Sequence, residues 1–234
     1  MQRSELEAIV DAEGPACVVE RLHQYLSEPR RERIEVVLAG RLANVEVALE
    51  SPYDPRNASA VVRSAEAFGV PAVHVIAASR KILETRGTTR GTHRWVHTRN
   101  WRAIDEFVAD ARERGLLLAG ACPGASTTLE QLPVDRPICL VFGNEHDGLA
   151  APLQAACELR FGIQIHGFAE SFNVSVAAAI SLYSLTSRWR ARLGRAGDLP
   201  PDELARERAR CYLRSVDDRL IRGLFQPPAA SRGQ

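Results

Sequence analysis

The sequence predicts an α/β protein, an open and mostly parallel β-sheet with helices on both faces and further helices flanking it at either end. Three observations carry that expectation. Strand-type and helix-type segments alternate through the middle of the chain, the order of a parallel sheet built with crossover helices. Two strand-type segments, "LLLAGA" at 116–121 and "ICLVFG" at 138–143, are continuously apolar, as strands covered on both faces are. A chain of 234 residues with 45% hydrophobic residues can bury the core of one large domain, with or without appendages.

Each element follows in order. Ser4 and Glu7 make a capping box for a first helix that Gly14-Pro15 stops. "ACVVERLHQYLS" (16–27) reads as a second helix and "RRERIEVVLAGR" (30–41), after Pro29, as a third. "VEVALES" (45–51) alternates like a strand, "SPYDPR" is a turn-rich loop, and "NASAVVRSAEAF" (57–68) has apolar residues at helical spacing. "VPAVHVIA" (70–77) is a strand, and "WRAIDEFVADARERG" (101–115) is an amphipathic helix ended by Gly115. "LRFGIQI" (159–165) is a strand and "NVSVAAAISLYSLTSRWRARL" (173–193) a long helix. After the break "DLPP", residues 202–225 read as one last helix before a Pro, Ala and Gly tail. There are no internal repeats.

Composition narrows the function classes. No apolar run approaches the ~20 residues a membrane helix needs, and the N-terminus carries acids where a secretory signal is basic then apolar, so the expected location is the cytoplasm. The five cysteines are odd in number, widely spaced and without a C-x-x-C pair, which suggests free buried thiols rather than a disulfide framework or a zinc cluster. The net charge of +1 hides a local imbalance: Arg80, Lys81, Arg86, Arg90, Arg94, Arg99 and Arg102 face one acid, Glu84. Guanidinium forks suit phosphate, and His93, Trp95, His97 and Trp101 are interleaved, a pattern that fits RNA contact by charge and stacking. Arg86, Arg90 and Arg94 are the candidate RNA contacts. The same segment also fits a solvated loop and helix face.

In open α/β sheets, ligands bind beyond the C-terminal ends of the strands. Three loops there carry unusual polar sets: "DPRNASAVVRSAEAFG" (54–69), "LVFGNEHDGLA" (140–150) and "IQIHGFAESFNVSVA" (163–177). The chain has no G-x-x-x-x-G-K-[ST], no G-x-G-x-x-G after its first strand and no H-E-x-x-H, which weighs against P-loop, nicotinamide-binding and zincin chemistry. "GACPG" (120–124) is a weak signal, and the run Glu145-His146-Asp147 is a poor metal site because consecutive residues rarely converge on one ion. Each loop alone also reads as ordinary structure. Asn57 reads as a helix cap and Arg63 as a solvated residue about 240° away on an ideal helix, so the two share a site only if Asn57 lies in the preceding loop. Gly143 and Gly148 read as turn formers, and Ser171 and Asn173 as caps of the long helix. All three loops nevertheless place polar residues on the ligand-binding side of the sheet.

Taken together, the loops resemble the three motifs of the SpoU/TrmH-type RNA ribose 2′-O-methyltransferases of the SPOUT class. Asn57 is followed six residues later by Arg63, "FGNE…G" resembles motif two, and Ser171-x-Asn173-Val-Ser-Val-Ala resembles motif three. The flanks, including "RIEVVLAGRLANVEVALESPYDPRN" and "TRGTTRGTHRWVHT", are similar to the tRNA guanosine-2′-O-methyltransferase subgroup. Two departures stand out: the family's Pro-Met in motif three is Gln164-Ile165 here, and its Leu between Ser and Asn is Phe172. The resemblance implies a methyltransferase domain over 44–193, a helical extension over 1–43 and a C-terminal helix and tail over 194–234. It further implies a deep trefoil knot, a homodimer and S-adenosyl-L-methionine bound by Gly143, Asn144, Gly148, Ile163 and Phe172. Asn57, Arg63, Glu145, Ser171 and Asn173 are the implied catalytic set, the substrate is RNA with a tRNA D-loop guanosine expected, and no metal is required. A ribosomal RNA or another tRNA position is the alternative target.

The chemistry constrains the roles. Methyl transfer to a ribose 2′-hydroxyl needs oxygen, methyl carbon and sulfur in line, so positioning contributes much of the effect. The hydroxyl must also lose its proton, and the family proposal makes Arg63 the base. An arginine, with a pKa above ~12, serves more readily as a phosphate clamp that stabilises charge developing on the oxygen, with Asn57 and Glu145 orienting it. A nonenzymatic RNA-binding module and a hydrolase using Glu145 or His146 are competing classes. Intact Arg63, Glu145 and Asn173 argue against the first, and the lack of a metal cluster against the second.

Overall fold

The computed structural model describes residue 1, residues 3–77 and residues 91–225, so Arg86 and Arg90 lie outside the described residues. In chain order the elements are α1 (Arg3–Glu13), α2 (Pro15–His23), α3 (Glu28–Ala39), β1 (Val45–Glu50), α4 (Pro55–Ala67), β2 (Ala72–Ile76), β3 (His97–Trp101), α5 (Ile104–Glu113), β4 (Leu117–Ala121), β5 (Thr127–Thr128), β6 (Ile138–Phe142), α6 (Ala151–Ala156), β7 (Leu159–Gly162), α7 (Val174–Leu193), α8 (Pro201–Leu213) and α9 (Asp218–Phe225). They fall into two compact units: Arg41–Asp198, and Met1–Gly40 together with the chain from Leu199 onward.

The larger unit is a seven-stranded sheet in the order β3-β2-β1-β6-β4-β7-β5, with every pair parallel. Helices cover both faces. On one face, Val45, Val47 and Leu49 of β1 pack with Ala58, Val61 and Val62 of α4 and with Ala178, Leu182 and Leu185 of α7. On the other, Ala48, Cys139 and Val141 pack with Phe107, Val108 and Ala111 of α5 and with Leu153 of α6. β6 enters between β1 and β4, and β7 between β4 and β5, so the late strands occupy interior positions. The ends of the unit are tied by Asp198, whose carboxylate accepts from Ala43 N–H (2.5 Å), the Asn44 amide (2.9 Å) and Trp189 Nε1–H (2.9 Å).

The alternation of "VEVALE" suggests a half-exposed strand, yet all six residues of β1 are buried. Its two acids are accommodated by partners. Glu46 meets His74 Nε2 at 2.7 Å and two Arg114 nitrogens at 2.7 and 3.1 Å, and Arg114 also pairs with Asp110 at 2.7 Å. Trp101 Nε1–H donates to His74 Nδ1 at 2.9 Å, which leaves His74 Nε2–H to donate to Glu46. Burial pushes the Glu46 carboxyl up, but the hydrogen bonds from His74 and Arg114 outweigh it and hold the pKa at about 2.

Several boundaries differ from the sequence reading for physical reasons. β3, read as part of an RNA-contacting segment, is an edge strand among the described residues: His97 is buried and the half-buried Trp101 stacks on His74 at 5.9 Å. Exposed Arg99 lies 3.5 Å from Asp110. Ser4 lies inside α1 rather than capping it. The last helix is two, because Ser215 Oγ bonds back to Cys211 O (2.7 Å) and the Asp217 carboxylate accepts from Arg219 N–H (2.8 Å), a cap pattern that opens α9. In this smaller unit, the arginines of α8 pair with acids of the N-terminal helices: Arg208 with Glu35 at 2.6 Å, Arg210 with Glu7 at 2.5 Å, and Arg206 with Asp11. All five cysteines are free; Cys139 and Cys211 are buried, the others half-buried, and burial pushes Cys157 up to about 12.

Candidate active site

β1, β6 and β7 run parallel within one sheet, so the chain leaves all three at its C-terminal edge, the side where such sheets bind ligands. After β1, Ser51 adopts φ +43°, a left-handed conformation uncommon for a residue with a side chain, and its N–H donates to Ile76 O at 2.8 Å. The chain then passes Pro52 and Tyr53 into α4. The cap of α4 is Asp54, which accepts from Arg56 N–H at 2.8 Å, and Pro55 occupies its first turn.

After β6, Asn144 and Gly148 pair through two backbone hydrogen bonds of 3.1 and 3.2 Å. Asn144 Oδ1 accepts from the N–H groups of His146 (2.9 Å) and Asp147 (2.7 Å), closing the turn from inside. Glycine is required at both ends: a Cβ on Gly143 would lie 2.0 Å from the Gly148 backbone, and Gly148 has φ +69°. The buried Glu50 carboxylate accepts from Ala150 N–H at 2.8 Å, fastening this loop to the end of β1.

After β7 the chain runs irregularly to α7, which Asn173 caps by accepting from Ser175 N–H (2.9 Å) and Ser175 Oγ–H (2.6 Å). That cap fixes the polarity of everything beyond it. With Asn173 Oδ1 engaged, its Nδ2 donates to Asn57 Oδ1 at 3.2 Å, and Asn57 Nδ2 donates to Glu145 Oε1 at 2.5 Å. Tyr53 N–H donates to the other carboxylate oxygen at 2.9 Å. One residue from each of the three polar segments thus joins a single chain of hydrogen bonds. Burial pushes the Glu145 carboxyl up, but donation from Asn57 and from backbone N–H groups including that of Tyr53 outweighs it, holding it below the ordinary value and ionised at neutral pH.

Beside this chain lies a cavity of about 330 Å³. Gly143, Asn144, Gly148, Ile163 and Phe172, expected to hold a cofactor, all line it, as do Glu145, Ser171 and Asn173. Ala121, Cys122 and Pro123 line it too, so the loop after β4, dismissed as a weak signal in the sequence, forms one wall. Phe142 and Phe161 close the floor, edge to face at 6.2 Å.

Two expectations require correction. Asn57 is inside α4 rather than in the preceding loop, so Arg63 falls on another face of that helix, exposed and away from the cavity lining. Ser171 does not cap α7; the cap is Asn173 alone. Arg94 is exposed on a short 3-10 turn, Thr92–Arg94.

The profile of the SpoU rRNA Methylase family matches residues 44–183, which include all three loops. The chain belongs to this family. A protein of Borreliella burgdorferi named tRNA (guanosine(18)-2'-O)-methyltransferase is 32% identical over 173 residues, covering 72% of this chain and 78% of that one. A protein of Thermus thermophilus with the same name is 31% identical, covering 72% of this chain and 87% of its own. Among solved structures, the A. aeolicus TrmH/SpoU tRNA modifying enzyme superposes with a TM-score of 0.72 at 27% identity, covering 81% of this chain and 98% of that chain. Two site features escaped the family motifs. Glu50, which fastens the β6 loop, reads in sequence as the solvent side of an alternating strand. The ring pair Tyr53–His146 joins residues far apart in the chain.

Proposed function

We propose that the protein transfers a methyl group from S-adenosyl-L-methionine to a ribose 2′-hydroxyl in RNA, with a D-loop guanosine of tRNA as its target. The observation that carries this reading is the Asn173–Asn57–Glu145 hydrogen-bond chain, set at the rim of a cavity lined by the second and third loops of a SpoU-family chain. The names of the relatives from Borreliella burgdorferi and Thermus thermophilus support the tRNA target. The description of the family itself supports ribosomal RNA as the second reading.

The residues present fit the methyl donor. Phe142, Phe161, Ile163 and Phe172 offer apolar walls to an aromatic base, Gly143 and Gly148 bring backbone close, and the Glu145 carboxylate is the right sign for a sulfonium. When bound, the donor supplies an electrophilic methyl on a positively charged sulfur. Asn57 and Glu145 hold the 2′-hydroxyl in line, since the carboxylate accepts from Asn57 and Tyr53 and retains lone pairs for the hydroxyl proton. Ile165 lines the donor pocket where the family has Met, whereas Gln164, in place of the family's Pro, lies outside that lining.

Arg63 faces away from its own cavity, which supports a homodimer in which Arg63 of a second copy clamps the substrate phosphate. The outer face of α7 supports the same assembly: Val176 and Tyr183 are 45% and 63% exposed on it. Insertion of β6 and β7 between earlier strands supports a knotted chain path. Exposed Arg94, with Arg86 and Arg90, is read as RNA-contacting. No helix among the described residues is long and apolar enough to cross a membrane, and we read the protein as cytoplasmic.

The test is methyl transfer from labelled S-adenosylmethionine to unmodified tRNA and, separately, ribosomal RNA, with the labelled ribose mapped. Label in the D-loop guanosine is expected; label in ribosomal RNA alone selects the second reading, and no transfer to RNA overturns both. Mixing Arg63→Ala with Asn173→Ala subunits tests the dimer: random reassortment of a two-site dimer restores about a quarter of wild-type activity if Arg63 acts across the interface, and none if it acts within its own chain.

A further inference from the structure

Tyr53 is 77% exposed, and its ring meets that of His146 at 5.1 Å and 85°. Both residues are fastened to the site. Tyr53 N–H donates to Glu145 Oε2 at 2.9 Å, His146 N–H donates to Asn144 Oδ1 at 2.9 Å, and His146 lines the cavity. Left-handed Ser51 redirects the chain just before Tyr53. Neither ring is used by the methyl-transfer chemistry, and neither is buried in a core.

We propose that Tyr53 and His146 form the subsite that holds the unpaired nucleobase of the nucleotide being methylated. This rests on the RNA reading above. A ribose whose 2′-hydroxyl sits against Asn57 and Glu145 carries its base one glycosidic bond away, within the span of the side chain that follows the Tyr53–Glu145 hydrogen bond. Sequence-specific and loop-specific RNA recognition uses bases splayed out of the helix and stacked on aromatic side chains. Stacking needs an open ring face, which the exposure of Tyr53 provides. The near-perpendicular pair makes a corner, so a planar base laid on one ring presents its edge to the other. Because the backbone of Tyr53 is bound to the carboxylate that orients Asn57, seating the base and placing the hydroxyl are mechanically linked.

The experiment compares two RNAs, one carrying the mapped target nucleotide and one carrying an abasic ribose, with its 2′-hydroxyl intact, at the same position. They are tested with wild type, Tyr53→Ala, His146→Ala and Tyr53→Phe, and S-adenosylmethionine affinity is measured for each. Wild type is expected to prefer the intact nucleotide by about 10- to 100-fold in kcat/KM, the range stacking of one base contributes. Tyr53→Ala and His146→Ala shrink that preference toward one, Tyr53→Ala with cofactor affinity unchanged, and Tyr53→Phe restores it. A coupling of this kind isolates the ring–base contact from any general loss of fold. If both alanine variants keep the full preference while wild type methylates RNA, the subsite is overturned and the methyltransferase reading stands. If wild type methylates no RNA while binding cofactor, both fall together.

Discussion

Glu46 and Glu145 each centre a hydrogen-bonded network in the same domain, and the two networks are built on opposite plans. Glu46 lies inside the sheet, sealed by charged and aromatic partners from β2, β3 and the end of α5. Glu145 lies at the C-terminal edge, exposed, and is held by a neutral amide and by backbone N–H groups, with no charged partner among the described contacts. Both carboxyls are held below their ordinary pKa, yet only the second is exposed to an incoming group. A sealed network secures the fold. An exposed one, oriented by a helix cap and open to solvent, is available for chemistry.

The largest expected effect breaks the first network. Arg114→Ala leaves Glu46 buried with His74 as its remaining partner, and a buried charge stripped of its counter-ion costs about 3 kcal/mol, read as a lower urea midpoint. Glu145→Gln should do the reverse. It keeps the shape but removes the negative charge and exchanges one acceptor oxygen for an NH2 donor, so kcat falls about 100-fold while the unfolding midpoint stays in place. A Glu145→Gln protein that unfolds early, or an Arg114→Ala protein as stable as wild type, would erase the distinction between the two networks.

Acid sharpens the same contrast. Glu46 titrates at about 2 in the fold against an ordinary value of 4.5. Because the folded pKa is the lower one, the unfolded chain binds the proton first, so this stability is present above about 4.5 and is lost as the pH falls through about 2. The shift corresponds to a few kcal/mol, on the order of 3. Urea midpoints of wild type and Glu46→Gln should therefore converge between about pH 5 and pH 2. Parallel curves across that range would assign the acid sensitivity to other carboxyls.

How much was legible in the sequence follows from which forces are local. The apolar runs of β4 and β6 and the helical spacing of α4, α5 and α7 announce burial directly, and the three polar loops fall at strand ends, so the site's location could be read. β3 and the two-residue β5 were missed because edge strands carry polar residues and make few ladder bonds. The phase of α4 was missed because Asp54 and Asn57 are both good caps, and the choice between them moves Arg63 around the helix. The Glu46 network and the Tyr53–His146 corner were invisible for another reason: each depends on strand register or loop convergence, which no short window of sequence contains.

The smallest expected effect lies where strain meets the site. Ser51 sits in the left-handed region, which costs a residue with a Cβ about 1–2 kcal/mol and a glycine nothing. Ser51→Gly removes that cost but enlarges the freedom of the unfolded chain, a penalty of about 0.4–1 kcal/mol, so the net gain in stability is about 1 kcal/mol or less. The same freedom loosens the segment that carries Tyr53 to Glu145, so kcat/KM for RNA should fall, by less than the tenfold or more expected on losing the ring itself. A slightly more stable and slightly slower enzyme would show that the strained residue holds the base-binding corner against the open network. Unchanged turnover would mean that the Glu145 contact alone positions Tyr53, and the strain would then belong to the turn and not to the site.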